Sequence, residues 1–91
     1  MAATTNWIVY QVALKAFVEC KKHKCVSLSY LEEIAFKKYK YSIFSYMQWL
    51  ISDGIFHGSC LGEMKYYLRP LFESMNIAEF QEYYKQHHSI K

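Results

Sequence analysis

The stretch Ile51-Ser52-Asp53-Gly54-Ile55-Phe56-His57-Gly58, continued by Leu61-Gly62-Glu63-Met64-Lys65-Tyr66-Tyr67-Leu68-Arg69-Pro70, leaves this chain few ways to fold. A helix-period segment stops at Asp53-Gly54, where Gly54 takes the positive φ that closes a helix. A short apolar run follows, and Gly58 and Gly62 then bracket a turn. Tyr66-Tyr67-Leu68 have the aromatic character that strands favour, and Pro70 ends the strand by lacking a backbone donor. Helix, hairpin and a further helix therefore follow one another closely.

Upstream, Thr4 or Thr5 caps a first helix running to about Cys20. Its polar positions, Gln11, Lys15, Glu19 and Lys22, fall on one narrow stripe at roughly 100° per residue. Ile8, Val9, Val12, Ala13, Ala16 and Phe17 lie on one side, and Trp7, Tyr10, Leu14 and Val18 carry the apolar surface round the back. So wide an arc means either that the helix is central in its own domain or that a second subunit covers it; the second reading is preferred. Lys21-Lys22-His23-Lys24 is a polar break, and Cys25-Val26-Ser27-Leu28 reads as a short strand. Ser29-Tyr30-Leu31-Glu32 has the form of a capping box opening a second helix to about Lys38, with Leu31, Ile34 and Ala35 inward.

A third helix is expected over residues 41–53. Ile43, Tyr46, Met47 and Leu50 share its inner face, with Phe44 and Ile51 at the edge; Tyr41, Ser45, Gln48, Trp49 and Ser52 lie opposite. Pro70 suits a helix first turn. One helix from there to the end would scatter its apolar residues, so a short turn at 70–75 is expected. A terminal amphipathic helix about 77–88 follows, begun by Asn76 with Glu79 three residues on, and striped by Ile77, Phe80, Tyr84 and His87.

Ninety-one residues, 53% of them hydrophobic, form a single folded domain over 1–91 rather than a disordered chain. No run approaches the roughly 18–20 apolar residues of a membrane span, and Met1-Ala2-Ala3-Thr4-Thr5 does not read as a signal peptide. An intracellular location, cytoplasmic or in a host cell, is expected. Cys20, Cys25 and Cys60 are an odd number and do not make a secreted disulfide framework. The net charge of +3 is uneven: residues 1–40 hold seven Lys against three Glu, while residues 41–91 are slightly acidic. A basic first half points toward an acidic partner. Arg69 is the only Arg beside plentiful Lys, Ile and Tyr, a usage that often accompanies AT-rich coding, as in some viruses and plasmids.

The order helix, short strand, helix, helix, two-stranded wing, helix (α-β-α-α-β-β-α, mainly α with a small β-hairpin) resembles the winged helix-turn-helix superfamily. It is most similar to the small dimeric transcription regulators of the MarR and PadR kind, over about residues 5–88. Trp49-Leu50-Ile51-Ser52-Asp53-Gly54-Ile55 and the later Tyr66-Tyr67-Leu68 carry the likeness. The resemblance implies duplex DNA as partner, with helix 41–53 in the major groove. Tyr41, Ser45, Gln48 and Trp49 would then face the bases, and Lys37, Lys38, Lys40 and Lys65 the phosphates. It implies a homodimer as well, for which Trp7, Tyr10, Leu14, Val18, Ile77, Phe80 and Tyr84 are the candidate interface. Two departures stand out. The connection Lys37-Lys38-Tyr39-Lys40 is long and bulky, and the wing tip, Gly58-Ser59-Cys60-Leu61-Gly62-Glu63, carries no Arg or Lys. The alternative is a winged-helix module for protein–protein contact without DNA binding.

Cys20, His23 and Cys25 invite a zinc reading, yet tetrahedral zinc wants four ligands and none is near in sequence unless the fold brings in His57 or Cys60. No metal and no cofactor are expected; a buried Cys20 and an exposed Cys25 in a loop fit better. There is no Gly-rich phosphate loop, nucleophile elbow or HExxH, so no enzyme activity is expected.

Overall fold

The computed structural model describes residues 2–34 and 43–87, with side chains from Trp7 onward. Eight elements succeed one another: α1 (Ala2–His23), β1 (Cys25–Ser27), α2 (Leu28–Ile34), α3 (Ile43–Ser52), β2 (Phe56–Ser59), β3 (Lys65–Leu68), α4 (Pro70–Glu73) and α5 (Ile77–His87). The architecture is mainly helical with a small three-stranded antiparallel sheet, ordered β1-β3-β2.

Helix α1 outruns its expected end by nearly a turn. It closes where Lys24 takes φ 71° and donates its N–H to the Cys20 carbonyl at 2.8 Å, so the polar break is the last turn of the helix rather than a gap after it. Lys21, Lys22 and His23 there complement the negative end of the helix dipole. Helix α2 starts earlier than the expected capping box: Ser27 Oγ accepts the Tyr30 N–H at 3.1 Å. The cap is Ser27 rather than Ser29, because β1 ends at Ser27 and leaves its hydroxyl beside the first orphan donors.

Helix α3 ends as its sequence requires. Gly54, at φ 79°, donates to Ile51 O at 3.0 Å while Ile55 N–H reaches Leu50 O at 3.1 Å. This is the paired pattern of a Schellman closure, with Leu50 and Ile55 both fully buried beside it. Helix α5 opens on a reciprocal box: Asn76 N–H donates to Glu79 Oε1 at 2.9 Å, and Glu79 N–H donates to Asn76 Oδ1 at 2.8 Å.

In the sheet, Val26, Tyr66 and Gly58 align across the three strands on the inner side, where a side chain at Gly58 would run into Met64. Cys25, Tyr67 and His57 align on the outer side, as do Ser27, Lys65 and Ser59. The core lies between the inner side, α1, α3 and α5, and among the described residues it contains no buried charged side chain.

Helix α1, about 33 Å long at 1.5 Å per residue, is central to the fold. Ala13 and Ala16, both 0% exposed, let its neighbours approach closely. Helix α5 packs on it from within the chain: Tyr10 lies 5.1 Å from Tyr84 and Phe17 stacks on Phe80 at 4.4 Å. Rising numbers on α1 meet falling numbers on α5, so the two helices run antiparallel. Phe72 of α4 closes the cluster edge-on to Phe80 at 6.0 Å. Lys21 Nζ donates to the Glu73 carbonyl at 2.6 Å and ties the end of α1 to α4.

Candidate nucleic-acid interface

The exposed face of α3 follows from its period. Ile43, Met47 and Leu50 are 0% exposed, which turns Phe44, Ser45, Gln48, Trp49 and Ser52 outward together. Tyr46 is half-buried, its ring 6.3 Å from that of Trp49 and nearly edge-on. Phe44, expected at the edge of the inner face, is 43% exposed and belongs to the outer one; Trp49 is 52% exposed. From Phe44 to Ser52 the face is about 12 Å long at 1.5 Å per residue. It carries no charged side chain.

Of the expected DNA-contacting residues, the structure brings Ser45, Gln48 and Trp49 onto this one surface. Lys37, Lys38, Lys40 and Tyr41 lie outside the described residues, as does the inward position expected for Ala35. Lys65 is not brought to the face. It lies on the outer side of the sheet, between Ser27 and Ser59, whereas α3 packs toward the inner side through Ile51. There it lines a groove of about 340 Å³ with Glu19, His23, Cys25, Tyr30 and Glu63. Two carboxylates therefore share the surroundings of this ammonium. Strand alternation in Lys65-Tyr66-Tyr67-Leu68 was the available signal, since it turns Lys65 and Tyr67 away from the core together. The same alternation accounts for an outer pair not anticipated, His57 stacked on Tyr67 at 5.3 Å. At the hairpin tip Leu61 is 91% exposed.

The expected dimer interface needs correction. Tyr10, Phe80 and Tyr84 are 3%, 0% and 2% exposed in the single chain, so they are core residues and are not available to a second copy. The physical reason is that α5 folds back on α1 and covers Tyr10, one part of the arc attributed to a partner. Trp7, Val18 and Ile77 remain exposed, and Leu14 half-buried. Leu14 and Val18 line a shallow groove of about 280 Å³ with Lys15, Glu19 and Ile34.

The cysteines are free thiols. Cys20 is buried and its thiol donates to the Tyr66 carbonyl at 3.5 Å. Burial first, then the neighbouring Cys25, pushes that thiol up to about 12. Cys25 is half-buried in β1 rather than exposed in a loop, and His23 approaches Glu19 at 3.9 Å. Among the described residues no three His, Cys, Asp or Glu side chains gather in a way that could hold a metal ion. No helix among them is long and apolar enough to cross a membrane.

The chain matches no protein-family model, no curated protein and no solved structure.

Proposed function

We propose that this chain is a winged helix-turn-helix protein that binds duplex DNA as a small transcription regulator, with α3 lying in the major groove. The observation that carries the reading is the outward set Ser45, Gln48, Trp49 and Ser52, all exposed on a helix that follows α2 and precedes a hairpin. The element order and the β1-β3-β2 sheet support it. A groove about 12 Å wide admits such a helix, and Gln bonds adenine through two hydrogen bonds. Lys37, Lys38 and Lys40, just ahead of α3 in sequence, supply phosphate contacts. Two copies pair through Trp7, Leu14 and Val18 on α1, which sets two recognition helices on neighbouring half-sites.

Fluorescence anisotropy against random and selected duplexes across a salt series tests this. Lys37→Glu with Lys40→Glu weakens binding to all duplexes and flattens the salt dependence. Gln48→Ala costs about 1–3 kcal/mol of discrimination at one base position. Absence of salt-sensitive binding to any duplex at low salt overturns the reading.

A protein-contact module is the second reading, favoured by Phe44, Trp49 and Leu61 standing exposed and by α3 carrying no cation. It takes over if duplex binding is absent.

A further inference from the structure

We infer that the exposed face of α3 selects A·T base pairs, reading thymine methyl groups with Phe44 and Trp49 and adenine with Gln48. This rests on the DNA-binding reading above and names the class of duplex that face accepts. Each base presents its own pattern in the major groove. Guanine is read chiefly by Arg or Lys, cytosine by Asp or Glu, adenine by Asn or Gln, and the thymine methyl by apolar side chains. The outward set on α3, Phe44, Ser45, Gln48, Trp49 and Ser52, holds no Arg, Lys, Asp or Glu. It therefore lacks the guanine and cytosine readers, and it holds one adenine reader flanked by two large apolar groups. Ser45 and Ser52 serve any base and do not alter the balance.

Packing keeps these side chains available. Phe44 and Trp49 are 43% and 52% exposed, while the residues that anchor the helix, Ile43, Met47 and Leu50, are fully buried. Phe44 and Gln48 are one turn apart, as are Ser45 and Trp49, so the amide stands between two apolar surfaces. The face spans about 12 Å, room for three to four base pairs at about 3.4 Å each. Charge agrees with a polyanionic occupant: residues 34–52 contain three Lys and no Asp or Glu. On the DNA-binding reading, phosphate attraction comes from Lys just ahead of the helix in sequence and base choice from the helix itself.

The test uses the full chain and a duplex selected from a random pool. The selected core is expected to be A·T pairs over three to four positions. Replacing each thymine there by deoxyuridine removes only the methyl and is expected to weaken binding roughly fourfold per methyl contacted. Trp49→Ala or Phe44→Ala removes that sensitivity at one position while leaving the salt dependence in place. Both side chains are solvent-facing, so the variants keep the fold, which circular dichroism verifies. Salt-sensitive binding with a G·C core, or with no response to deoxyuridine, overturns the A·T reading and leaves DNA binding standing. No binding to any duplex overturns both.

Discussion

Replacing Tyr66 by Phe should make this protein more stable, although it deletes a polar group from the sheet. Tyr66 is 0% exposed, and its phenolic oxygen is buried with no hydrogen-bond partner among the described residues. Strand pairing forces the placement: Tyr66 stands between Val26 and Gly58 on the inner side of the sheet. A buried hydroxyl without a partner costs about 1–3 kcal/mol. Phe keeps the ring and its contacts. The small void left by one oxygen costs a few tenths of a kcal/mol at about 24 cal/mol per Å³. The net expectation is a gain of about 1 kcal/mol, or about 4–8 °C in Tm for a domain of this size.

Urea unfolding followed by circular dichroism measures the gain, and alkaline titration gives an independent arm. Burial, followed by the charges of Glu32 and Cys60, pushes the Tyr66 phenol up to about 12 from an ordinary 10.0. The folded state therefore holds this proton more tightly than the unfolded chain does. Stability from that difference is complete below pH 10 and is lost as pH rises toward 12. In Tyr66→Phe this part of the alkaline loss disappears. A variant less stable by 1 kcal/mol or more would refute the reasoning, because it would mean the hydroxyl is hydrogen-bonded in solution.

Phe80→Ala should lower folding stability by about 3–5 kcal/mol, since its ring is fully buried against Phe17 and Phe72; sedimentation of the protein that remains folded should show no loss of association, whereas Val18→Glu should reduce it. Lys24→Gly should stabilise by about 0.5–1 kcal/mol in urea melts, because Lys24 sits at φ 71° where a side chain is strained. Asn76→Ala should cost about 0.5–2 kcal/mol by breaking the reciprocal cap of α5. Under native conditions at pH 8 a thiol reagent should label Cys60 first and Cys25 more slowly. Cys20 should react only on unfolding, since it is buried and its thiol is held up to about 12; equal labelling of all three would show that α1 does not seal the sheet.

Local features were legible in the residues themselves. Gly54 closes α3, Asn76 with Glu79 opens α5, and the hairpin lies between Phe56 and Leu68, because each depends on a backbone preference or a contact within a few positions. The two faces of α3 were legible apart from Phe44, which the structure moves to the outer one: helical period alone separates Met47 and Leu50 from Gln48 and Trp49. What covers α1 was not, since an apolar arc announces that it will be buried without saying by what. Only tertiary packing decided that Tyr84 and Phe80 of α5 cover it at Tyr10 and Phe17 while Trp7 and Val18 stay exposed, by bringing together rings more than sixty positions apart. Lys65 shows the same limit at the candidate site. Its charge was plain in the sequence, but strand register turned it to the outer side of the sheet, among Glu19 and Glu63 and away from α3. The cap of α2 likewise moved from Ser29 to Ser27 because pairing of β1 with β3 fixed where the strand ends. Periodicity and turn chemistry act over single turns of chain, so they specify elements and their faces; which faces meet is set by burying the most apolar surface at once, a property of the whole chain.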